Sequence, residues 1–291
     1  MDFADRKDAG RRLAACPGHR RGAAAGALGL RRGACRPPGR PIGSPGSAMR
    51  RSSPARSAAT LQASTAPAAT TPTVSTADPP ARSEEVQPVA AAVRLAGSLA
   101  IPKGSGGIVV FAHGSGSSRH SPRNRHVAGV LNDAGLGTLL FDLLTPEEER
   151  DRANVFDIGL LAGRLAEVTG WLRAQPAAGR AAIGYFGAST GAAAALWAAA
   201  EPGAGIAAVV SRGGRPDLAR PRLAAVTAPT LLIVGARDEV VLDLNRRAQA
   251  ELRCQNHLAV VPGASHLFEE PGTLDTAAGL ARDWFIRHLA P

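Results

Sequence analysis

Downstream of about residue 85 the chain alternates short apolar runs with longer segments whose apolar residues recur at helical spacing. That pattern predicts an α/β protein: a mostly parallel sheet with helices on both faces. The run VRLAGSLAIP sets Leu95, Leu99 and Ile101 among small or polar neighbours, as a half-buried first strand would. GIVVFAHG, GTLLFDLL, AIGYFG, IAAVVSRGG, TLLIVGARD and HLAVVPGASH are continuous apolar runs suited to buried strands. Helices are predicted over RNRHVAGVLNDAG, from Asp157 (a fair N-cap) to Gln175, along the alanine-rich run after Ser189, over LDLNRRAQAELR and over TAAGLARDWFIRHLA. No internal repeat is visible and no insertion is long enough for a large cap. Roughly 205 residues suffice for one sizeable core.

Charge changes the picture only upstream. The formal net charge is +10, but residues 1–80 hold 13 of the basic residues against 4 acidic ones, leaving 21 against 20 for the rest. The folded part is thus nearly neutral, and a specific nucleic-acid partner is not expected: the basic segment has a single aromatic, Phe3, and no periodic arginine face. Residues 1–85 read as a disordered tail rich in Ala, Arg, Pro and Ser, with too few large apolar groups to offset ordering entropy. A targeting segment fits poorly, because Arg31 and Arg32 close the one apolar patch and Asp2, Asp5 and Asp8 spoil a positive leader. A true start at Met49 or later is the preferred alternative, since GC-rich DNA yields this composition in almost any frame. No run approaches the roughly 20 apolar residues of a membrane span. Of three cysteines only Cys254 falls in the folded part, so a reducing cytoplasm is expected. Metal-type spacing is absent, and neither a metal nor another cofactor is expected.

Ligands of such sheets collect at the carboxyl ends of the strands. AIGYFG runs into Gly187-Ala188-Ser189-Thr190-Gly191, a G-x-S-x-G turn; TLLIVGARD ends in Asp238; HLAVVPGASH runs to His266; GIVVFAHG ends in His113-Gly114-Ser115-Gly116. A serine hydroxyl needs a base within hydrogen-bond reach and a carboxylate to orient that base. Ser189, Asp238 and His266 occur in the chain order that α/β-hydrolases use. For a developing oxyanion, the backbone amides of Thr190 and Ser115 are the expected donors.

The chain from about Val86 resembles the α/β-hydrolase superfamily, and its compact form is similar to the dienelactone hydrolase branch. The resemblance rests on HGSGSSRHSPRNR, GASTG, GARD and GASHLF, each after a strand-like run. It implies an esterase-like hydrolase with Ser189 as nucleophile, His266 as base and Asp238 as its partner. Dienelactone hydrolases themselves carry a cysteine at the nucleophile position, so their lactone is not carried over. Some relatives of this type are fused to a phosphoribosyltransferase domain, for which this sequence shows no counterpart.

Other readings compete at each position. Glu239 or Asp243 can replace Asp238 as the acid; His113, His120, His126, His257 and His288 compete with His266, with His113 better suited to holding the oxyanion turn. Arg119, beyond that turn, and Arg212, ending IAAVVSRGG, are candidates for binding an anionic group of a small substrate, and for each the competing role is to hold a loop. Arg123 and Arg125 stand in the same loop. Glu147, Glu148 and Glu149 read as a solvated loop or helix start, and Cys254 as a small core residue. The expected function is hydrolysis of a small ester, thioester or lactone through an acyl-enzyme. A non-catalytic scaffold of the same fold and a small peptidase are the alternatives.

Overall fold

The computed structural model describes residues 83–289. The tail expected over residues 1–85 therefore lies, as far as residue 82, outside the described residues. The strands are β1 (Glu84–Val86), β2 (Val89–Ala90), β3 (Val93–Arg94), β4 (Gly97–Ala100), β5 (Gly107–Ala112), β6 (Gly137–Phe141), β7 (Ala182–Ala188), β8 (Ala208–Arg212), β9 (Thr230–Gly235) and β10 (Asn256–Val261). The helices are α1 (Pro122–Asp133), α2 (Pro146–Glu149), α3 (Arg152–Phe156), α4 (Ile158–Arg173), α5 (Thr190–Ala199), α6 (Glu239–Glu251) and α7 (Thr273–Leu289), and a 3-10 segment spans Pro216–Ala225.

Eight strands form one sheet in the order β1-β4-β6-β5-β7-β8-β9-β10. β1 and β4 pair antiparallel at one edge, and every pairing from β6 to β10 is parallel. The expectation of a mostly parallel sheet holds, because β5, β6, β8 and β9 are buried at every position and so need no alternation. Three details differ. VRLAGSLAIP is two strands: β3 folds back on β2 as a small hairpin, and β4 enters the sheet. β1 begins at Glu84, ahead of Val86. β10 is an edge strand, largely half-buried rather than buried.

Connections explain where the crevice must lie. From β5 the chain crosses to β6, then passes back over β5 to β7 and continues one strand at a time to β10. The loops after β5 and β7 therefore leave in opposite directions, opening a cleft between them. Helices α1 and α7 cover one face with the cluster around Phe111, Phe186 and Phe285; α4, α5 and the 3-10 segment cover the other around Tyr185, Leu165 and Leu196. Helix α5 is apolar all round, and Ala192 to Ala195 are fully buried. Small side chains there let it lie close against the sheet.

The acidic run after β6 is helical. Thr145 caps α2 in a capping box with Glu148, and Glu148 also pairs with the buried Arg164 of α4 at 2.6 Å.

Candidate active site

Ser189 sits between β7 and α5 with φ 51° and ψ −120°, a conformation that costs a non-glycine residue about 1–3 kcal/mol. Three backbone bonds hold it there. Its N–H donates to the Arg212 carbonyl at 3.3 Å, and its own carbonyl accepts from Ala192 and Arg215, both at 3.1 Å. The flanking glycines are demanded by space: a side chain at Gly187 would run into the backbone of Ala192, and one at Gly191 into the carbonyls of Ala112 and His113. The Ser189 hydroxyl caps nothing on α5 and is half-buried, so it is free for chemistry.

Asp238 ends the turn after β9, and His266 lies in the loop after β10. His266 Nδ1 donates to Asp238 Oδ2 at 2.6 Å, which in the neutral imidazole places the proton on Nδ1 and leaves Nε2 the acceptor nitrogen. The two loops are zipped together by Arg237 N–H on the Ala264 carbonyl and Ala236 N–H on the Val261 carbonyl, both at 2.9 Å. Within the histidine loop, Ser265 N–H donates to Glu270 Oε2 at 3.0 Å; that bond holds the Glu270 carboxyl below its ordinary range. Gly213, in the left-handed region at φ 53°, packs against the His266 loop: a Cβ there would stand 3.2 Å from the His266 carbonyl and 3.6 Å from its ring. Gly213 directly follows Arg212, the residue bonded to Ser189, so the His266 loop and the serine turn meet over the end of β8. Ser189 and His266 are not hydrogen-bonded to each other in this structure.

Opposite them, the turn after β5 approaches Ser189: a Cβ on Gly114 would lie 3.1 Å from Ser189 Cβ. His113 braces this turn. Its Nε2 accepts from Leu143 N–H at 3.1 Å, which places its proton on Nδ1, 3.0 Å from the Gly114 carbonyl. Thr190 N–H opens α5 beside the serine. Ser115 requires a correction: its N–H is not free for an oxyanion, because it donates to Thr190 Oγ1 at 2.8 Å.

Arg119 is also corrected. It pairs with Asp142 at 3.3 Å and Glu85 at 3.0 Å, and its N–H donates to Asp142, so it fastens the loop to the end of β6 and to β1, and its charge is met by two carboxylates of the protein itself. Arg212 behaves differently. Its side chain is 7% exposed, has no acidic partner among the described residues, and leaves Nε without a hydrogen bond. It stacks on Phe268 with 5.6 Å from Cζ to the ring centre and makes one long bond, 3.5 Å, to Asn124 at the start of α1. Burial and then the neighbouring Arg123 guanidinium push its pKa down to about 10. Sequence reasoning missed Phe268, Asn124 and Gly213, whose roles depend on packing between distant loops.

The remaining candidates make contacts elsewhere. His126 pairs with Asp275 across α1 and α7 at 2.7 Å, and His120 meets Arg125 at 2.6 Å. His288 packs on Trp284, with its pKa lowered by burial and then by Arg287. Arg123 pairs with Glu269 at 3.5 Å. Cys254 is a partly buried thiol against Thr230, pushed up by burial. Among the described residues no cluster of three or more metal-ligating side chains occurs, and no helix is long and apolar enough to cross a membrane.

The sheet order, the serine turn and the loops that carry Asp238 and His266 define an α/β-hydrolase fold. A solved dienelactone hydrolase from Anabaena variabilis is 54% identical and superposes with a TM-score of 0.70, covering 72% of this chain and 99% of that one. The chain belongs to the dienelactone hydrolase family of hydrolases. An esterase of Pyrococcus furiosus, 18% identical over 72% of this chain and 92% of its own with a TM-score of 0.56, shares the fold. Two Mycobacterium tuberculosis proteins named "Putative phosphoribosyl transferase" are 67% identical over 215 residues, 74% of this chain and 48% of theirs. The chain thus spans about half the length of the curated relatives it matches. No family model matches it.

Proposed function

We propose that this chain is a serine hydrolase that cleaves a small ester, thioester or lactone through an acyl-enzyme on Ser189. The observation that carries the reading is the serine held in a strained turn next to the loop in which Asp238 fixes the tautomer of His266. Ser189 Oγ attacks the carbonyl carbon as its proton passes to His266 Nε2. The tetrahedral oxyanion forms against the Thr190 N–H at the positive end of α5. As the intermediate collapses, His266 returns the proton to the leaving oxygen or sulfur. Water then attacks the acyl-enzyme, giving its proton to His266, and as the second tetrahedral intermediate collapses the acid leaves while His266 returns that proton to Ser189 Oγ. Asp238 holds the imidazole in orientation and stabilises the imidazolium as it forms.

A small apolar recess, lined by Leu143, Leu144, Val155 and Leu161 with Ser115, adjoins Thr190 and would take only a small group, although Ser189 itself does not line it. A preference for an anionic acid portion is supported by Arg212, a buried guanidinium that lacks a carboxylate of its own at the tip of the strand next to Ser189. The name of the mycobacterial relatives describes proteins about twice as long, whereas the hydrolase reading rests on residues this chain carries.

The test is labelling with a fluorophosphonate together with hydrolysis of a nitrophenyl ester. Covalent labelling that maps to Ser189 and is blocked by the ester substrate is the expected result. Absence of both labelling and hydrolysis favours the non-catalytic scaffold.

A further inference from the structure

Thr190 follows the nucleophile, is 4% exposed, and accepts the Ser115 N–H on Oγ1 at 2.8 Å. A hydroxyl has one proton to give and two lone pairs. With one lone pair used by Ser115, the Thr190 O–H proton has no acceptor assigned to it among the described residues. A buried hydroxyl proton without an acceptor is unfavourable, and a bound oxygen relieves that penalty. The surroundings place that oxygen. Gly114 packs on Ser189, Ser115 is bonded to Thr190, and His113 fastens the turn at both ring nitrogens. Ser189 and Thr190 are thus both in contact with the turn after β5, at the start of α5.

We propose that the side-chain hydroxyl of Thr190 is itself an oxyanion donor. One residue then supplies two donors, its N–H and its O–H, and the Ser115 N–H acts from behind as a positioning group. An O–H that accepts a hydrogen bond becomes a better donor, because the chain of dipoles polarises cooperatively. Ser115 thus strengthens the Thr190 O–H and fixes its rotamer, and contacts the oxyanion only through it. This inference rests on the serine-hydrolase reading above.

The experiment compares Thr190→Val and Thr190→Ser with wild type on one nitrophenyl ester and on a trifluoromethyl ketone that forms a tetrahedral adduct. Thr190→Val keeps the shape and loses the hydroxyl. It is expected to lower kcat by about 100- to 1,000-fold with KM within about threefold, and to weaken the ketone in parallel, the magnitude seen on removing one oxyanion donor. Thr190→Ser is expected to stay within about fivefold of wild type, since the donor is retained. Unchanged or raised activity in Thr190→Val, as when the hydroxyl merely blocks the Ser115 N–H, overturns the proposal. So does an equal loss in Thr190→Ser, which would assign the effect to the methyl group. Because Thr190→Val need not fold, a crystal structure of the wild-type phosphonate adduct gives a second measurement. The adduct oxygen is expected about 3 Å from Thr190 Oγ1. Finding it on Ser115 N, with the threonine rotated away, refutes the inference. Wild type that neither labels nor hydrolyses sinks the hydrolase reading and this proposal together; wild type that labels, with Thr190→Val unaffected, sinks this proposal alone.

Discussion

The N–H of Ser189 donates to the carbonyl of Arg212 at 3.3 Å, so the proposed nucleophile is tied across β7 and β8 to the backbone of the residue that carries a buried, acid-free guanidinium. Val210 and Arg212 share one face of β8, which turns the arginine toward Phe268 and the start of α1. Burying that charge works against the fold. A guanidinium pKa lowered to about 10 corresponds to a cost of a few kcal/mol. The sign follows: the cost is fully present below about pH 10, where the folded protein must hold the charge, and is relieved as pH rises through it.

Arg212→Met is accordingly expected to match or exceed the wild-type melting temperature at neutral pH. It should also raise KM for an anionic ester by about tenfold or more, the worth of a charge-assisted contact, and leave a neutral ester of equal size nearly unchanged. Equal losses on both esters together with a large fall in Tm would mean that the guanidinium serves only to pack on Phe268.

Ser189→Ala is expected to abolish labelling and cut kcat by several orders of magnitude. The Tm should not fall, because the hydroxyl fills no core volume and the strained conformation remains. Retained activity at the wild-type rate would remove Ser189 from the mechanism.

Gly191→Ala and Gly187→Ala test the turn. Each added methyl meets backbone rather than a movable side chain, so relief requires α5 to shift from the sheet. Overpacking of this kind costs about 1–3 kcal/mol or more. Both variants are expected to lose several degrees of Tm and most of the activity; a variant with normal Tm and normal kcat would show that the turn tolerates the shift.

Asp238→Asn replaces the acceptor that fixes the His266 tautomer. A loss in kcat of about 10,000-fold with little change in thermal stability is expected by the logic of such triads. If Asp238→Asn is mild and Glu239→Gln or Asp243→Asn is severe, the acid has been misassigned.

Glu270 braces the histidine loop through Ser265, and this bond keeps its carboxyl below the ordinary 4.5. A lowered carboxylate pKa gives support that is present above 4.5 and lost as pH falls through the folded value. The Tm gap between wild type and Glu270→Gln should therefore be constant from neutral pH down to about 5.5 and close at lower pH. A gap that is absent at neutral pH would deny Glu270 this role.

The sequence by itself determined the sheet class, most of its strands and the places where Ser189, Asp238 and His266 leave their strands. These are local properties: an apolar run long enough for a buried strand, a glycine-flanked serine, and a carboxylate and a histidine each just past a run. Tertiary structure decided the rest, because contacts between distant segments carry no local signature. Arg119 and Arg212 look alike as arginines near strand ends, yet one meets Asp142 and Glu85 and the other meets no acid among the described residues. The Ser115 amide looks free until the Thr190 side chain, 75 residues away, takes its hydrogen bond. β1 and the β2–β3 hairpin are too short to show a period, and only pairing with β4 and with each other makes them strands.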